Sequence, residues 1–424
     1  MKRRKFMAQA ATGVAAFTII PRSVLGGKGY VAANNRINLG YIGLGKQSYT
    51  LLNSIGKCNE TIVVAASDVF GGKLDLFIKA ANENNKSKVD TKVKGFEFYR
   101  ELLELKDIDA VVIASPDHWH AQMVVDAAKA GKDIYCEKPM ALTIAEGRAM
   151  VNATRKFKRV FQTGNMQRSW RDFRHASELV YNGYIGDIKE INVSVGEPVK
   201  QCDLPTEEVP ASLNWNEWVG PSLYRGYNTV LAPPLGDNQW GWWRGYRDFG
   251  GGLITDWGAH MFDIAQWALG MDESGPVEFI PPDIPAKTGL SMKYANGVVV
   301  NHKEWGDSNA VQFIGTEGKI EVSRDFLRTT PESLASMQIK ETDKRLYFSD
   351  NHYQDWVDAM KSRTKPISDV ETGHRTSSVC NAINIAYELQ RPLKWDPKKE
   401  LFDDHYANMM ISRPYRGKWD FTDF

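Results

Sequence analysis

Charge of one sign is missing from this chain. Its 53 Lys and Arg face 52 Asp and Glu, a formal net charge of +1. A nucleic-acid binder or a polybasic membrane binder needs an excess of cations, so the balance argues against both. Cysteine is scarce: Cys58, Cys136, Cys202 and Cys380 lie far apart with no C-x-x-C pair. That argues against a disulfide-dense scaffold and a cysteine zinc site. No apolar run reaches the roughly 20 residues that span a bilayer. What is present is ordinary for a globular chain, with 25% charged and 42% apolar residues. At about 100–200 residues per domain, 424 residues make two or three domains. Tryptophan is the exception, with 13 residues. Indole faces suit the C–H surfaces of sugars, although large aromatics commonly fill cores.

The chain opens MKRRKFMAQAATGVAAFTIIPRSVLGG. Arg3 and Arg4 precede a mildly apolar stretch over 8–20, and small residues follow at Gly26 and Gly27. That order reads as an export signal, and the paired arginines point to the twin-arginine route, which carries folded proteins. The expectation is a periplasmic or exported protein. Residues 1–35 would be signal and linker, with no membrane insertion after signal removal.

From residue 37 the pattern alternates strands and helices. INLGYI, TIVVAAS, DAVVIAS and KDIYC are near-continuous apolar runs, and helical stretches are expected over 118–130 and 143–159. This is the pattern of a parallel sheet covered on both faces. The expected fold class is α/β, with a doubly wound domain over 36–164 and a second domain over 165–424. In the second part, 188–195 alternates apolar and polar residues, and Asn296-Gly297 is a strong hairpin signal. A turn at 316–318 marks another hairpin, so an antiparallel, open-faced sheet is expected there. Between these lies a long Pro-, Gly- and Trp-rich stretch, 198–252, with little periodicity. Helices are expected over 352–361 and 376–389.

Four constellations carry chemistry. Gly43-Leu44-Gly45 ends a strand and opens a helix, as in a dinucleotide-binding turn, although the third glycine of that fingerprint is Ser48 here. Asp68 ends the next strand, where a carboxylate binds ribose hydroxyls and repels a 2′-phosphate. The cofactor expected is therefore NAD rather than NADP. Lys138, in Cys136-Glu137-Lys138-Pro139, follows a parallel strand at the edge of the sheet where ligands gather. It could donate to a substrate oxygen, or simply be solvated. Asp256 and His260 stand four apart, which puts both on one face of a helix near its start, where an acid orienting an imidazole suits general-base work. The competing reading is a capping Asp beside a core His. Ser115-Pro116-Asp117-His118-Trp119-His120 reads as a loop passing the cofactor. Its histidines, two apart, do not share a helix face, and no metal is expected.

Taken together, these stretches resemble the Gfo/Idh/MocA oxidoreductases, the relatives of glucose–fructose oxidoreductase and inositol dehydrogenase. The resemblance runs from residue 37 to at least 385. It rests on IGLG, ASPDHWH, CEKP, QTGNMQRS and GGGLITDWGAHMFD. It implies that Lys138, Asp256 and His260 are catalytic. It places Asp68, Ser115, His120, Glu137 and Asn165 on cofactor-contacting positions, beside Gly43, Leu44, Gly45, Asp117 and Lys138. Arg168, Trp243 and Arg244 would lie near the reacting end and meet substrate. The implied fold is a Rossmann domain plus a larger domain on an open-faced, mostly antiparallel sheet, with homo-oligomers packing through that face. The implied activity is NAD-dependent oxidation or reduction of a secondary alcohol of a sugar, glycoside or cyclitol, with the cofactor held tightly. Two other activities fit the same fold: an NAD-dependent glycosidase working through transient oxidation and elimination, and a non-catalytic sugar-binding protein. The Trp-rich stretch is longer than in simple inositol dehydrogenases and leaves the substrate open.

Overall fold

Six short strands build the first sheet: β1 (Ile37–Ile42), β2 (Thr61–Ser67), β3 (Lys94–Phe96), β4 (Ala110–Ile113), β5 (Asp133–Cys136) and β6 (Phe161–Thr163). The computed structural model describes residue 32 and residues 35–424 other than 90, 238, 285, 307 and 308. The expected export signal lies outside the described residues. The strands run parallel in the order β3-β2-β1-β4-β5-β6. Successive side chains on a strand point to opposite faces. Leu39, Tyr41, Val112 and Tyr135 therefore pack on helices Lys46–Ile55 and Gly71–Asn85. Val111, Ile113 and Ile134 pack on helices Asp117–Lys129 and Ile144–Lys156. Chain direction reverses in the order between β1 and β4, the switch point at which such sheets bind ligands. The end of the chain returns to this body. Trp356 of helix His352–Ser362 joins one face, Phe421 joins the other, and Arg413 pairs with buried Glu146.

The second sheet has nine strands: β7 (Ile188–Ser194), β8 (Glu278–Ile280), β9 (Ser291–Lys293), β10 (Val299–His302), β11 (Ala310–Gly315), β12 (Lys319–Ser323), β13 (Leu327–Thr330), β14 (Leu393–Asp396) and β15 (Leu401–Phe402). Their order is β13-β12-β11-β7-β10-β9-β8-β14-β15, antiparallel except for β10 beside β7. Gly297 takes φ +87° in the Asn296-Gly297 turn, as the hairpin signal requires. One face packs Ile191, Val193, Val300 and Phe313 against helices Arg171–Tyr181, Gly258–Ala268 and Val370–Leu389. The other face is polar. Asn192 donates to Gln312 at 2.8 Å and Gln312 to Glu321 at 2.8 Å, while Asn301 donates to Asn192 at 3.1 Å.

The helix expected from 376 begins earlier, at Val370. Asp369 caps it by accepting from the Glu371 amide. Its first turns are polar because they pair with other elements: Glu371 with Arg148 and His374 with Glu400. The Trp-rich stretch contains one short helix, Trp215–Val219, and a 3-10 turn, Trp242–Gly245. It folds around its own cluster of Phe70, Leu213, Trp215, Tyr227 and Phe249. Trp215 and Trp218 stack at 4.5 Å between centroids, so Trp215 fills this core while the half-buried Trp218 also lines the cleft described below.

Candidate active site

A cleft of about 720 Å³ opens at the switch point. Gly43, Gly45, Asp68 and Ser115 form one wall, and Trp240 and Trp243 of the Trp-rich stretch form part of the other. Gly43 has φ +81°, and a Cβ there would sit 2.5 Å from the Ser115 amide nitrogen, so the turn admits only glycine. A Cβ on Gly45 would meet nothing within 4 Å, leaving its backbone open at the start of helix Lys46–Ile55. Ser48 does not disrupt this turn: it is buried, and its hydroxyl donates back to the Gly45 carbonyl at 2.7 Å. Asp68 is fixed by two amides, Leu44 at 2.6 Å and Phe70 at 2.8 Å. Burial pushes its carboxyl up, against Lys73 and those two donors. The Leu44 amide is thus spent on Asp68 and is not offered to a phosphate.

The residues fit a dinucleotide. Ser115 Oγ is buried in the cleft wall without a partner among the described residues, and buried hydroxyls are normally paired. The open Gly45 backbone at a helix N-terminus suits a pyrophosphate.

The cleft wall ends at Arg244, which lies over the Trp240 and Trp243 rings at 5.0 and 4.3 Å. Its Nε stands 3.6 Å from Asp256 Oδ1. Lys138 Nζ donates to the same oxygen at 2.7 Å and to the Asp256 carbonyl at 2.9 Å. Burial opposes ionisation of Asp256, but Lys138, Arg244 and Arg324 outweigh it and hold the carboxyl below its usual range. Glu137 links this pair to the cofactor turn, accepting from Gln47 at 2.8 Å and from the Lys138 amide at 3.1 Å. Asn165 donates to the Ala259 carbonyl at 2.8 Å and so anchors the segment next to His260.

Three expectations need correction. Asp256 and His260 do not share one helix. Helix Gly252–Asp256 ends at Trp257, and His260 belongs to the next, Gly258–Ala268. Asp256 grips Lys138, while His260 Nε2 faces Arg324 at 3.2 Å and its Nδ1 has no partner among the described residues. Burial, then Lys138, Arg324 and His352, push the His260 ring well below the ordinary imidazole range, so it is neutral. Arg168 does not meet substrate. It is 1% exposed, its fork bonded to Asp263 at 2.7 and 2.8 Å and to Asp272 at 2.9 and 2.7 Å. A fully buried guanidinium held this way positions helix Gly258–Ala268. Breaking such a pair costs about 3–5 kcal/mol. His120 and Asp117 do not line the cleft but are buried near Lys138, whose charge acts on both. His120 ring nitrogens stand 2.9 Å from the Pro139 carbonyl and 3.0 Å from that of Ser115, tying the two site loops together. Asp117 is 3% exposed, and burial raises its carboxyl well above the usual range.

Sequence reasoning missed Arg324, which sits in the turn between β12 and β13 with no periodic or motif signal beside it. It also missed Gln47 and His352. Lys138, Asp256 and His260 do converge where the cleft ends, as the motifs implied.

Residues 37–165 match the NAD-binding Rossmann-fold domain of an oxidoreductase family, and residues 195–421 match that family's C-terminal alpha/beta domain. The chain is 25% identical to myo-inositol 2-dehydrogenase of Thermotoga maritima over 355 residues, 79% of this chain and 89% of the relative. It is also 25% identical over 233 residues to a glycosyl hydrolase family 109 protein of Stenotrophomonas maltophilia, 51% of this chain and 50% of that one. Among solved structures, aldose-aldose oxidoreductase from Caulobacter crescentus superposes with a TM-score of 0.60 at 18% identity, covering 85% of this chain and 99% of that one. That last likeness is one of fold.

Proposed function

The chain belongs to the Gfo/Idh/MocA oxidoreductase family, and we propose that it oxidises a secondary alcohol of a sugar, glycoside or cyclitol by hydride transfer to NAD. One observation carries this reading: a lysine–carboxylate pair and a buried imidazole lie next to Arg244, which lines the cleft behind the glycine turn. Bound nicotinamide supplies the hydride acceptor. His260 Nε2 takes the hydroxyl proton, and Lys138 Nζ, aimed by Asp256, donates to the oxygen as charge develops there. The reverse reaction returns the same proton. The name of the inositol dehydrogenase supports a polyol substrate. A mixture of hexoses, hexuronates and inositols added to NAD-loaded protein tests the reading through the absorbance of reduced nicotinamide.

NAD rather than NADP is supported by Asp68, which lines the cleft as an oriented carboxylate. Asp68→Ala is expected to narrow the ratio of NAD to NADP affinity by about tenfold or more, the worth of removing one close like-charge contact. Titration of both cofactors reads this, and an unchanged ratio removes Asp68 from the ribose site.

Tight cofactor retention is supported by the strap that reaches over the cleft from the Trp-rich stretch. Lys46 lies over the Trp240 ring at 5.1 Å, Arg244 lies over the same indole, and Leu235 packs against Gly72. Trp240→Ala is expected to speed NAD release at least several-fold in a stopped-flow chase while leaving hydride transfer on loaded enzyme unchanged. Such retention would suit an exported enzyme that alternates between two sugars. Export rests on the arginine-led N-terminus, and homo-oligomers would form through the polar outer face of the second sheet.

The match to a glycosyl hydrolase family 109 protein favours one second reading, a glycosidase in which oxidation is transient. Release of nitrophenol from a nitrophenyl glycoside without net cofactor reduction would identify it.

A further inference from the structure

Arg324 is a charged side chain in contact with His260 that the mechanism above leaves unused. It stands in a turn that is fixed before any ligand arrives. Ser323 Oγ accepts from the amides of Asp325 at 3.0 Å and Phe326 at 3.2 Å, and the Ser323 amide donates to the Phe326 carbonyl at 2.9 Å. From this turn the guanidinium reaches inward between two indoles, 4.5 Å from the Trp257 centroid and 5.6 Å from that of Trp170. The residue is exposed, while the group it touches, His260, is 2% exposed. Aromatic faces orient a guanidinium without using its N–H donors.

What the guanidinium lacks is a carboxylate. Other arginines of this chain that reach inward are paired: Arg168 with Asp263 and Asp272, Arg148 with Glu371 and Glu400, Arg413 with Glu146. No ion pair joins Arg324 to a carboxylate among the described residues. Asp256, Asp325 and Glu137 act on its charge from beyond ion-pair distance, and Asp256 is already gripped by Lys138. A planar, oriented fork with donors to spare beside the proposed base matches a carboxylate bidentately.

The contact with His260 gives this placement a consequence. The nitrogen facing Arg324 is the one assigned to take the substrate proton, and a lone pair accepting from Arg324 cannot also accept that proton. The base becomes available only when the guanidinium turns away.

We infer that Arg324 is the receptor for a carboxylate on the sugar substrate, and that its move from His260 onto that carboxylate frees the base. The substrate class is then a hexuronate or another sugar acid. The chemical step is unchanged: the C–H bond breaks with its electron pair going to nicotinamide, the O–H proton goes to His260 Nε2, and the carbonyl forms. The inference rests on the dehydrogenase reading of the site.

Its test uses NAD-loaded protein and calorimetric titration with glucuronate and galacturonate, each beside its neutral hexose. The wild type is expected to bind at least one acid about ten- to hundredfold more tightly than the hexose, the worth of a charge-assisted hydrogen bond. Arg324→Ala is expected to abolish that preference with the melting temperature unchanged. Arg324→Lys, which keeps the charge but not the fork, is expected to retain part of it. Equal affinity for acid and hexose, a preference that survives Arg324→Ala, or no binding of either acid overturns the inference. Failure of the dehydrogenase reading looks different: the acid preference would stand while bound NAD is never reduced. A neutral sugar that reduces NAD equally fast in wild type and Arg324→Ala leaves the dehydrogenase and removes the sugar-acid assignment.

Discussion

In a His260→Ala enzyme, hydride transfer to bound NAD is expected to slow by about 10²–10⁴-fold, the usual worth of a positioned acid–base group. NAD should remain bound, because His260 lies on helix Gly258–Ala268 and not on the glycine turn. The pH profile gives an independent readout. A base works in its neutral form, and a free imidazole begins to protonate near pH 6.5. Burial, with Lys138, Arg324 and His352, lowers the His260 value well below that. Oxidation should therefore persist as pH falls through 6.5, with its acid limb at a distinctly lower pH. Arg324→Ala removes one of those cations and should move the limb back toward neutrality. In His260→Ala the limb should vanish. A limb unchanged in both variants would assign the proton to another group.

Lys138→Ala is expected to lower the same rate by about 10²–10³-fold, the cost of losing one donor aimed at a developing oxyanion. The substitution also leaves Asp256 without its closest cation, although Arg244 stays at 3.6 Å. Lys138→Ala combined with Asp256→Asn should therefore be little worse than Lys138→Ala alone. Groups that act as a unit are strongly non-additive. Lys138→Ala with His260→Ala should likewise fall far short of the product of the single effects. Rapid-mixing reduction of pre-bound NAD measures all four proteins. A fully multiplicative pair would mean that the two residues serve different atoms.

The first domain was legible because its cause is local. Uninterrupted apolar strands can only be buried on both faces, and a glycine with φ +81° at the end of β1 marks the turn directly. The second sheet announced itself through alternation in β7 and the Asn296-Gly297 turn. The grouping of Lys138, Asp256 and His260 was legible as motifs, but its wiring was not, because that depends on residues distant in sequence. Asp256 and His260 looked like one helix face. Asp256 is instead paired with Lys138, a partner 118 residues away. Arg168 sat in a motif stretch that pointed to the cleft. Asp263, 95 residues on, and Asp272 claim its guanidinium, and nothing near Arg168 announces either. Arg324 lies in a hairpin turn whose composition is that of any exposed turn. Only the packing of that turn against Trp257 and His260 gives it meaning.

The central claim is that this site removes hydride from a carbinol carbon. The most direct measurement is single-turnover spectroscopy on purified, NAD-loaded protein mixed with hexoses, hexuronates and inositols. The account predicts that at least one of them raises the near-ultraviolet absorbance of reduced nicotinamide stoichiometrically. A substrate deuterated at the oxidised carbon should raise it more slowly, and His260→Ala should raise it slower still. Contradiction would be a cofactor that stays oxidised with every one of these compounds while the same protein cleaves a nitrophenyl glycoside, or one reduced as fast in His260→Ala as in the wild type.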